Sequence, residues 1–159
     1  MAEQQLEQQF TVPEAGAVFI PTDEDRRTLD AWFARYEALS ARADVEAMAD
    51  MAVFPLNVIT DDAAGNGSAE QWDRERFTAT MSQVLGGAGG EEPRFESVRT
   101  PRFLTASLVV VLTEGVVTAG GRTQTLRYAD VLLKRNGEWA FQTMIQGGWG
   151  DTGKDGGAS

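Results

Sequence analysis

Between Thr105 and Gln146, hydrophobic and polar residues follow a strand period through three long runs joined by two tight turns. The runs are Thr105 to Thr118, Arg122 to Arg135 and Glu138 to Gln146. Ala119-Gly120-Gly121 separates the first two. Asn136-Gly137 separates the last two, and this pair supplies the positive φ that both central positions of a type I′ hairpin require. In the first run, one face carries Leu108, Val110, Leu112 and Val116, and the other carries Val109, Val111 and Val117. Both faces are apolar, so both need a cover. Helices can cover one, and a second sheet or a second subunit the other. The pattern therefore predicts a helix-covered hollow and a homodimer through the outer face of the three runs. A carboxylate at Val109 or Val111, whichever faces outward, should break that dimer.

The helical period appears earlier. Thr22 with Asp25 is a capping-box variant, and Leu29, Trp32, Phe33, Tyr36 and Leu39 follow as one apolar stripe. Asp44 opens a second short helix with Val45, Met48 and Met51 on one side. Val53 to Thr60 reads as a strand in which Pro55 marks an edge or a bulge. The segment from Asp61 to Gly67 reads as a turn. Ser68 with Gln71 repeats the capping box and predicts a third helix with Trp72, Phe77, Met81, Val84 and Leu85 on its buried side, ended by Gly86-Gly87. Gly86 to Gly90 reads as a flexible loop at a pocket mouth. Arg94 to Thr100 reads as a strand that Pro101 interrupts. The order is helix, helix, strand, helix, then four strands: an α+β pattern with a curved antiparallel sheet and three helices on one face. The expected division is an N-terminal arm at 1–21, one domain at 22–148 and a disordered tail at 149–159.

Composition narrows the chemistry. The 159 residues hold 24 acidic against 14 basic side chains, a net charge of −10, with Lys and Arg scattered. That disfavours nucleic acid and anionic membranes as partners. No apolar run approaches the ~18 residues of a membrane span, and no signal peptide is visible, so the expected location is the cytoplasm. Cysteine and histidine are both absent. No Ser-His-Asp or Cys-His device can form, and thiolate and imidazole metal sites are excluded. The expected enzyme, if there is one, uses no cofactor and no metal. Its general base is Asp, Glu, Tyr or Lys with a shifted pKa.

Three stretches carry a resemblance. They are Trp32-Phe33-Ala34-Arg35-Tyr36 with Ala43-Asp44-Val45, the strand and turn from Val53 to Asp62, and the hairpin from Tyr128 to Trp139. Over roughly 22–148 the chain resembles the nuclear transport factor 2-like superfamily, which includes the SnoaL-like and ketosteroid-isomerase-like proteins. The resemblance implies a cone: a curved sheet around a hydrophobic pocket, closed by helices, with dimers through the outer face. It also implies roles. Tyr36 matches the isomerases' first-helix Tyr, standing eight residues before Asp44 as in the family. Asp130 falls near their protonated Asp on the penultimate strand. Asp61 is near in order to their base, although Phe54-Pro55 stands where they have an acidic turn. Cyclases of the SnoaL kind use a His that this chain lacks.

The residues themselves leave two readings open at each position. Asp130, between Tyr128 and Leu132 on its face, is either a desolvated proton donor or the partner of an Arg such as Arg102 or Arg127. Tyr36 is either a donor to a substrate oxygen or a core tyrosine. Asp61 is either a base at a strand end or a turn former. Trp32, Phe54, Trp72, Phe77 and Tyr128 could line a pocket for an apolar molecule, with Gln142 and Gln146 as its polar side. The expected function is a pocket protein for a small, largely apolar molecule, as a metal-free acid–base enzyme of the isomerase, cyclase, dehydratase or hydrolase type. The alternative is a non-catalytic dimeric ligand-binding or assembly domain.

Overall fold

The computed structural model describes residues 18–86 and 94–151. Two helices come first, α1 (Asp23–Ala41) and the short α2 (Val45–Ala49). After them come β1 (Ala52–Asp61), β2 (Gly67–Trp72) and α3 (Arg74–Gly86). The long strands β3 (Arg94–Thr105), β4 (Leu108–Ala119), β5 (Arg122–Arg135) and β6 (Glu138–Gln146) complete the sheet, and a 3-10 turn spans Trp149–Asp151. The fold is α+β: three helices on one face of an open six-stranded sheet in the order β2-β1-β6-β5-β4-β3. Most of the N-terminal arm, most of the Gly86 to Gly90 loop and the end of the tail lie outside the described residues. Among the described residues no helix is long and apolar enough to cross a membrane.

The caps explain the first two helices. Thr22 and Asp25 each accept the other's backbone N–H, at 3.1 and 2.9 Å, and Asp44 accepts from Ala47 N at 3.3 Å. The third helix differs from its sequence reading. Ser68 and Gln71 do not cap it, because Gly67–Trp72 is a strand paired antiparallel with β1. Asp73 opens the helix instead, accepting from Arg76 N at 2.8 Å. The sheet is mixed rather than purely antiparallel, since β1 runs parallel to β6. Pro101 does not interrupt β3. It sits inside an edge strand, where a missing N–H is tolerated. Trp149–Asp151 belongs to the fold and not to the tail: Trp149 stacks on Trp72 at 5.9 Å, and Asp151 accepts from Ala63 N at 2.8 Å.

Both glycine-bearing turns are two-residue loops with positive φ throughout: Gly120 and Gly121 at 58° and 76°, Asn136 and Gly137 at 50° and 79°. A third hairpin, at Ala106-Ser107, joins β3 to β4. Besides the register shift between Ala52 and Asn57 where β1 pairs with β6, two irregularities set the phase of the strands in the meander of β3 to β6. Leu104 is an extra residue in β3, and Gln142 an extra residue in β6. The inner face carries Val109, Val111, Leu132, Phe141 and Met144, packed against Leu29 and Phe33 of α1 and Phe77 and Met81 of α3. Val109 and Val111 are both fully buried on this face, so neither faces outward. The outer set on β4 is Leu108, Val110, Leu112 and Val116. Trp139 Nε1 donates to Thr28 Oγ1 at 3.2 Å, fastening the last hairpin to α1.

The two candidate caps can be separated by mutation. Asp73→Ala should lower stability by about 1 kcal/mol, the usual cost of losing an N-cap. Ser68→Ala, on an exposed edge strand, should stay within ~0.5 kcal/mol. Urea unfolding of both variants measures this, and the opposite ranking would contradict the assignment of Gly67–Trp72 as a strand.

Candidate functional site

Strand register assembles the site. Arg99 of β3 stands opposite Thr113 of β4, which stands opposite Tyr128 of β5, itself opposite Gln146 of β6. This is a polar row across four strands on the inner face. The adjoining row is Pro101, Val111, Asp130 and Met144, and beyond it lie Phe103, Val109, Leu132 and Phe141. Asp130 therefore projects toward the helices from between a polar and an apolar row. Facing it, α1 supplies Tyr36, whose ring stacks on Trp32 at 5.4 Å and meets Phe141 edge-on at 5.4 Å.

The electrostatics follow from burial. Desolvation pushes the Asp130 carboxyl up to about 7, against a smaller opposing pull from Arg99. Arg99 does not pair with Asp130. Its Nη2 bonds to Glu37 of α1, and its guanidinium lies 4.4 Å from the Phe33 ring centre. Burial likewise raises Tyr36, with further contributions from the charges of Asp130 and Tyr128. Tyr128 is raised too, chiefly by burial and also by Asp130. Nearby Arg99 and Thr113 oppose this, although Thr113 Oγ1 has no partner within hydrogen-bond geometry. At neutral pH the group is thus a half-ionised carboxyl between two phenols that stay protonated.

The sequence candidates divide. Asp130, Tyr36, Tyr128 and Trp32 come together, with Gln146 beside Tyr128. Phe77 and Phe54 form the aromatic packing next to them, with Phe77 5.8 Å from Phe141 and 5.9 Å from Phe54. Trp72 lies on β2, with two strands between it and β5. Gln142 is the extra residue of β6 and takes the Thr143 hydroxyl at 2.7 Å, so it does not share a simple alternation with Met144 and Gln146. Asp61 is exposed and accepts the Gly148 amide at 2.8 Å, a turn-forming role away from Asp130. Arg102 faces outward opposite Val110, and Arg127 pairs with Glu114 at 3.3 Å, so neither expected arginine reaches Asp130. Arg99, Thr113 and Glu37 were not legible as site residues. The extra residue Leu104 reverses the facing of β3, and no local signal reveals that. Among the described residues no group of three acidic side chains could hold a metal ion.

Two depressions mark the described surface, of about 240 and 110 Å³. The larger is lined by the outward side chains Leu112, Glu114, Arg127, Ala129 and Ile145 together with Thr113, Tyr128 and Gly147 of the same strands and turn, and the smaller by Arg94, Glu96, Val116 and Thr118; the outward residues of both belong to the outer face.

No family model matches the sequence, and none of the curated proteins matches it. Solved structures do. An NTF2-like protein with a cystatin-like fold from Novosphingobium aromaticivorans is 15% identical over 82% of this chain and 86% of its own, with a TM-score of 0.58. A protein of the same organism named after scytalone dehydratase is 15% identical, covering 91% and 86%, at 0.53. A Xanthomonas campestris protein named after the association domain of calcium/calmodulin-dependent protein kinase II is 18% identical, covering 84% and 92%, at 0.55. The architecture is thus the cystatin-like cone of the nuclear transport factor 2-like proteins. At these identities the likeness is one of fold and carries no activity with it.

The raised carboxyl makes stability depend on pH. Asp130 binds its proton more tightly in the folded chain than in the unfolded one, where it titrates near 3.8. Its contribution is fully present below about 4, falls by about 1.4 kcal/mol per pH unit between there and about 7, and is level above. Asp130→Asn removes this slope. The variant's stability relative to wild type should rise from pH 4 to pH 7 and then plateau, as measured by urea unfolding across that range. A difference that shrinks with rising pH would mean an ion-paired Asp130.

Proposed function

We propose that the protein binds a small, largely apolar molecule inside the cone and exchanges a proton with it at Asp130. The reaction class is a cofactor-independent isomerisation, cyclisation, dehydration or hydrolysis. The observation that carries this reading is a buried carboxyl, left unpaired by the nearby arginine and set beside two phenols. A carboxyl titrating near neutrality can serve as acid and as base in successive steps, which removes the need for a second carboxylate. Tyr36 keeps its proton and acts only as a donor, stabilising charge that develops on a substrate oxygen. Asp61 has no part in this scheme, because its carboxylate holds the C-terminal turn.

Proton exchange can be tested without the natural substrate. In D₂O, the protein should accelerate deuterium uptake at the α-carbon of an apolar bicyclic ketone such as 1-tetralone, followed by NMR. Asp130→Asn should lower that acceleration ~100-fold or more, and Tyr36→Phe should reduce it less. Saturable binding with exchange indifferent to Asp130→Asn would end the acid–base reading.

A second reading rests on the outer face, to which the outward residues of both described depressions belong. Ile59, Ile145, Ala129 and Leu112 form an apolar row across four strands, with Leu112 52%, Ile59 41% and Ile145 37% exposed. Glu114 and Arg127 lie beside the row, and a two-fold axis through the face would bring opposite charges together. This supports a homodimer, and an assembly role if the interior has no ligand. Sedimentation at micromolar concentration should give a dimer for wild type. Leu112→Asp should give a folded monomer by circular dichroism, since that side chain is half exposed. A wild-type monomer would remove this interface.

A further inference from the structure

Beyond Gln146 the chain turns back over the inner face of β1. The Gly148 N–H donates to Asp61 Oδ1 at 2.8 Å, the Trp149 N–H to Thr60 Oγ1 at 2.9 Å, and Asp151 Oδ2 accepts from Ala63 N at 2.8 Å. Leu56 and Val58 are buried on the inner face of β1, and alternation puts Thr60 on the same face. Thr60 follows Ile59, the partner of Ile145, so it stands level with Gln146, which is opposite Tyr128. The strap of residues 147–151 therefore lies over the row that holds Tyr128, next to the row of Asp130.

The two tryptophans that meet there are held unequally. Trp72 is buried. Its Nε1 donates to Glu70 Oε2 at 3.1 Å, Arg76 donates to the same oxygen at 2.6 Å, and the Arg76 guanidinium lies 5.1 Å from the Trp72 ring centre. Trp149 is half-buried and stacks on Trp72 with the two planes 9° apart. Its segment is tied down by backbone bonds, of which those at Gly148 and Ala63 are exposed. A fixed ring thus faces a ring on a lightly held strap, and exposed backbone bonds mark a segment that opens before the rest of the fold. Gly150 sets the fit of the strap, since a Cβ there would lie 2.7 Å from the Asp61 carbonyl oxygen.

We propose that residues 147–151 form a releasable stopper: Trp149 rests on the fixed Trp72 ring, and an aromatic ring carried by an entering ligand takes its place when the strap opens. The role of the strap as an entrance rests on the reading of the interior as a ligand site, but its test reads amide exchange and binding rather than turnover.

Hydrogen exchange and indole binding, both followed by NMR, test the stopper. Indole is the ring that the strap already sets against Trp72. In wild type, the Gly148 and Trp149 amides should exchange at least ~100-fold faster than that of Phe141, which is bonded to the Met51 carbonyl. Gly150→Ala keeps every aromatic side chain and unseats the strap. It should speed those two amides about tenfold and tighten indole binding by a similar factor, with the Trp72 indole N–H resonance shifting on binding. Trp149→Ala removes the stopper itself and should bind indole at least as tightly. It decides the matter, with the wild-type exchange rates, if Gly150→Ala does not fold. Strap amides that exchange no faster than Phe141 overturn the proposal, because the strap then opens only when the whole chain unfolds. Indole affinity unchanged in the variants, or binding that leaves the Trp72 resonance in place, overturns it as well. The expected binding gains without Asp130-dependent proton exchange would sink the acid–base reading and leave the stopper standing. Asp130-dependent exchange with unchanged indole affinities would do the reverse.

Discussion

Side chains along a strand alternate between its two faces, so the meander of β3 to β6 has to hold its register to within one residue. The inward set includes Arg99, Thr113, Tyr128, Asp130 and Met144, and a slip by one would turn all of a strand's members out. Two-residue loops at Gly120-Gly121 and Asn136-Gly137 fix most of that register, because type I′ turns leave no slack. The extra residues Leu104 and Gln142 do the remainder. Each reverses the facing of the strand on its far side, and each adds local bending to a sheet that wraps its helices.

The state of Asp130 is a contest between its burial and the pull of Arg99. A guanidinium free to approach a buried carboxylate would ionise it, since attraction at low dielectric is large. Here Glu37 engages Arg99 from the helix side, and Phe33 holds the guanidinium plane. What remains for Asp130 is a partial pull, smaller than the cost of taking its charge out of water. Placing the arginine in the neighbouring row therefore gives a carboxyl poised near neutrality instead of a structural ion pair.

The elements announced by local chemistry were legible. Thr22 and Asp44 mark the first two helices, the glycine pairs mark the hairpins, and alternation from Tyr128 to Leu132 places Asp130 on the face it occupies. The features that depend on distant partners were not legible. Gly67–Trp72 is polar and exposed save for Trp72, so it shows no alternation, and its Ser68-Gln71 spacing imitates a helix start. The parallel pairing of β1 with β6 joins segments far apart in the chain. Arg99 would fall on the outer face by simple counting back from the Ala106-Ser107 hairpin, and only the extra Leu104 turns it inward. Its partner Glu37 sits off the apolar stripe of α1 and reads as an ordinary surface acid.

Pro101 has a consequence beyond the shape of β3. An open sheet has two free rims, and a rim of unpaired amides and carbonyls is a template for endless strand-on-strand growth. On one rim, Pro101 removes a donor in mid-strand and Arg94 and Arg102 bring like charges. The other rim is the short β2, only six residues long and carrying Glu70. Copies of the chain that meet rim to rim would find mismatched amides and repelling side chains, so fibres are disfavoured. The broad apolar face is left as the surface on which copies can meet, and a face-to-face pair closes on itself.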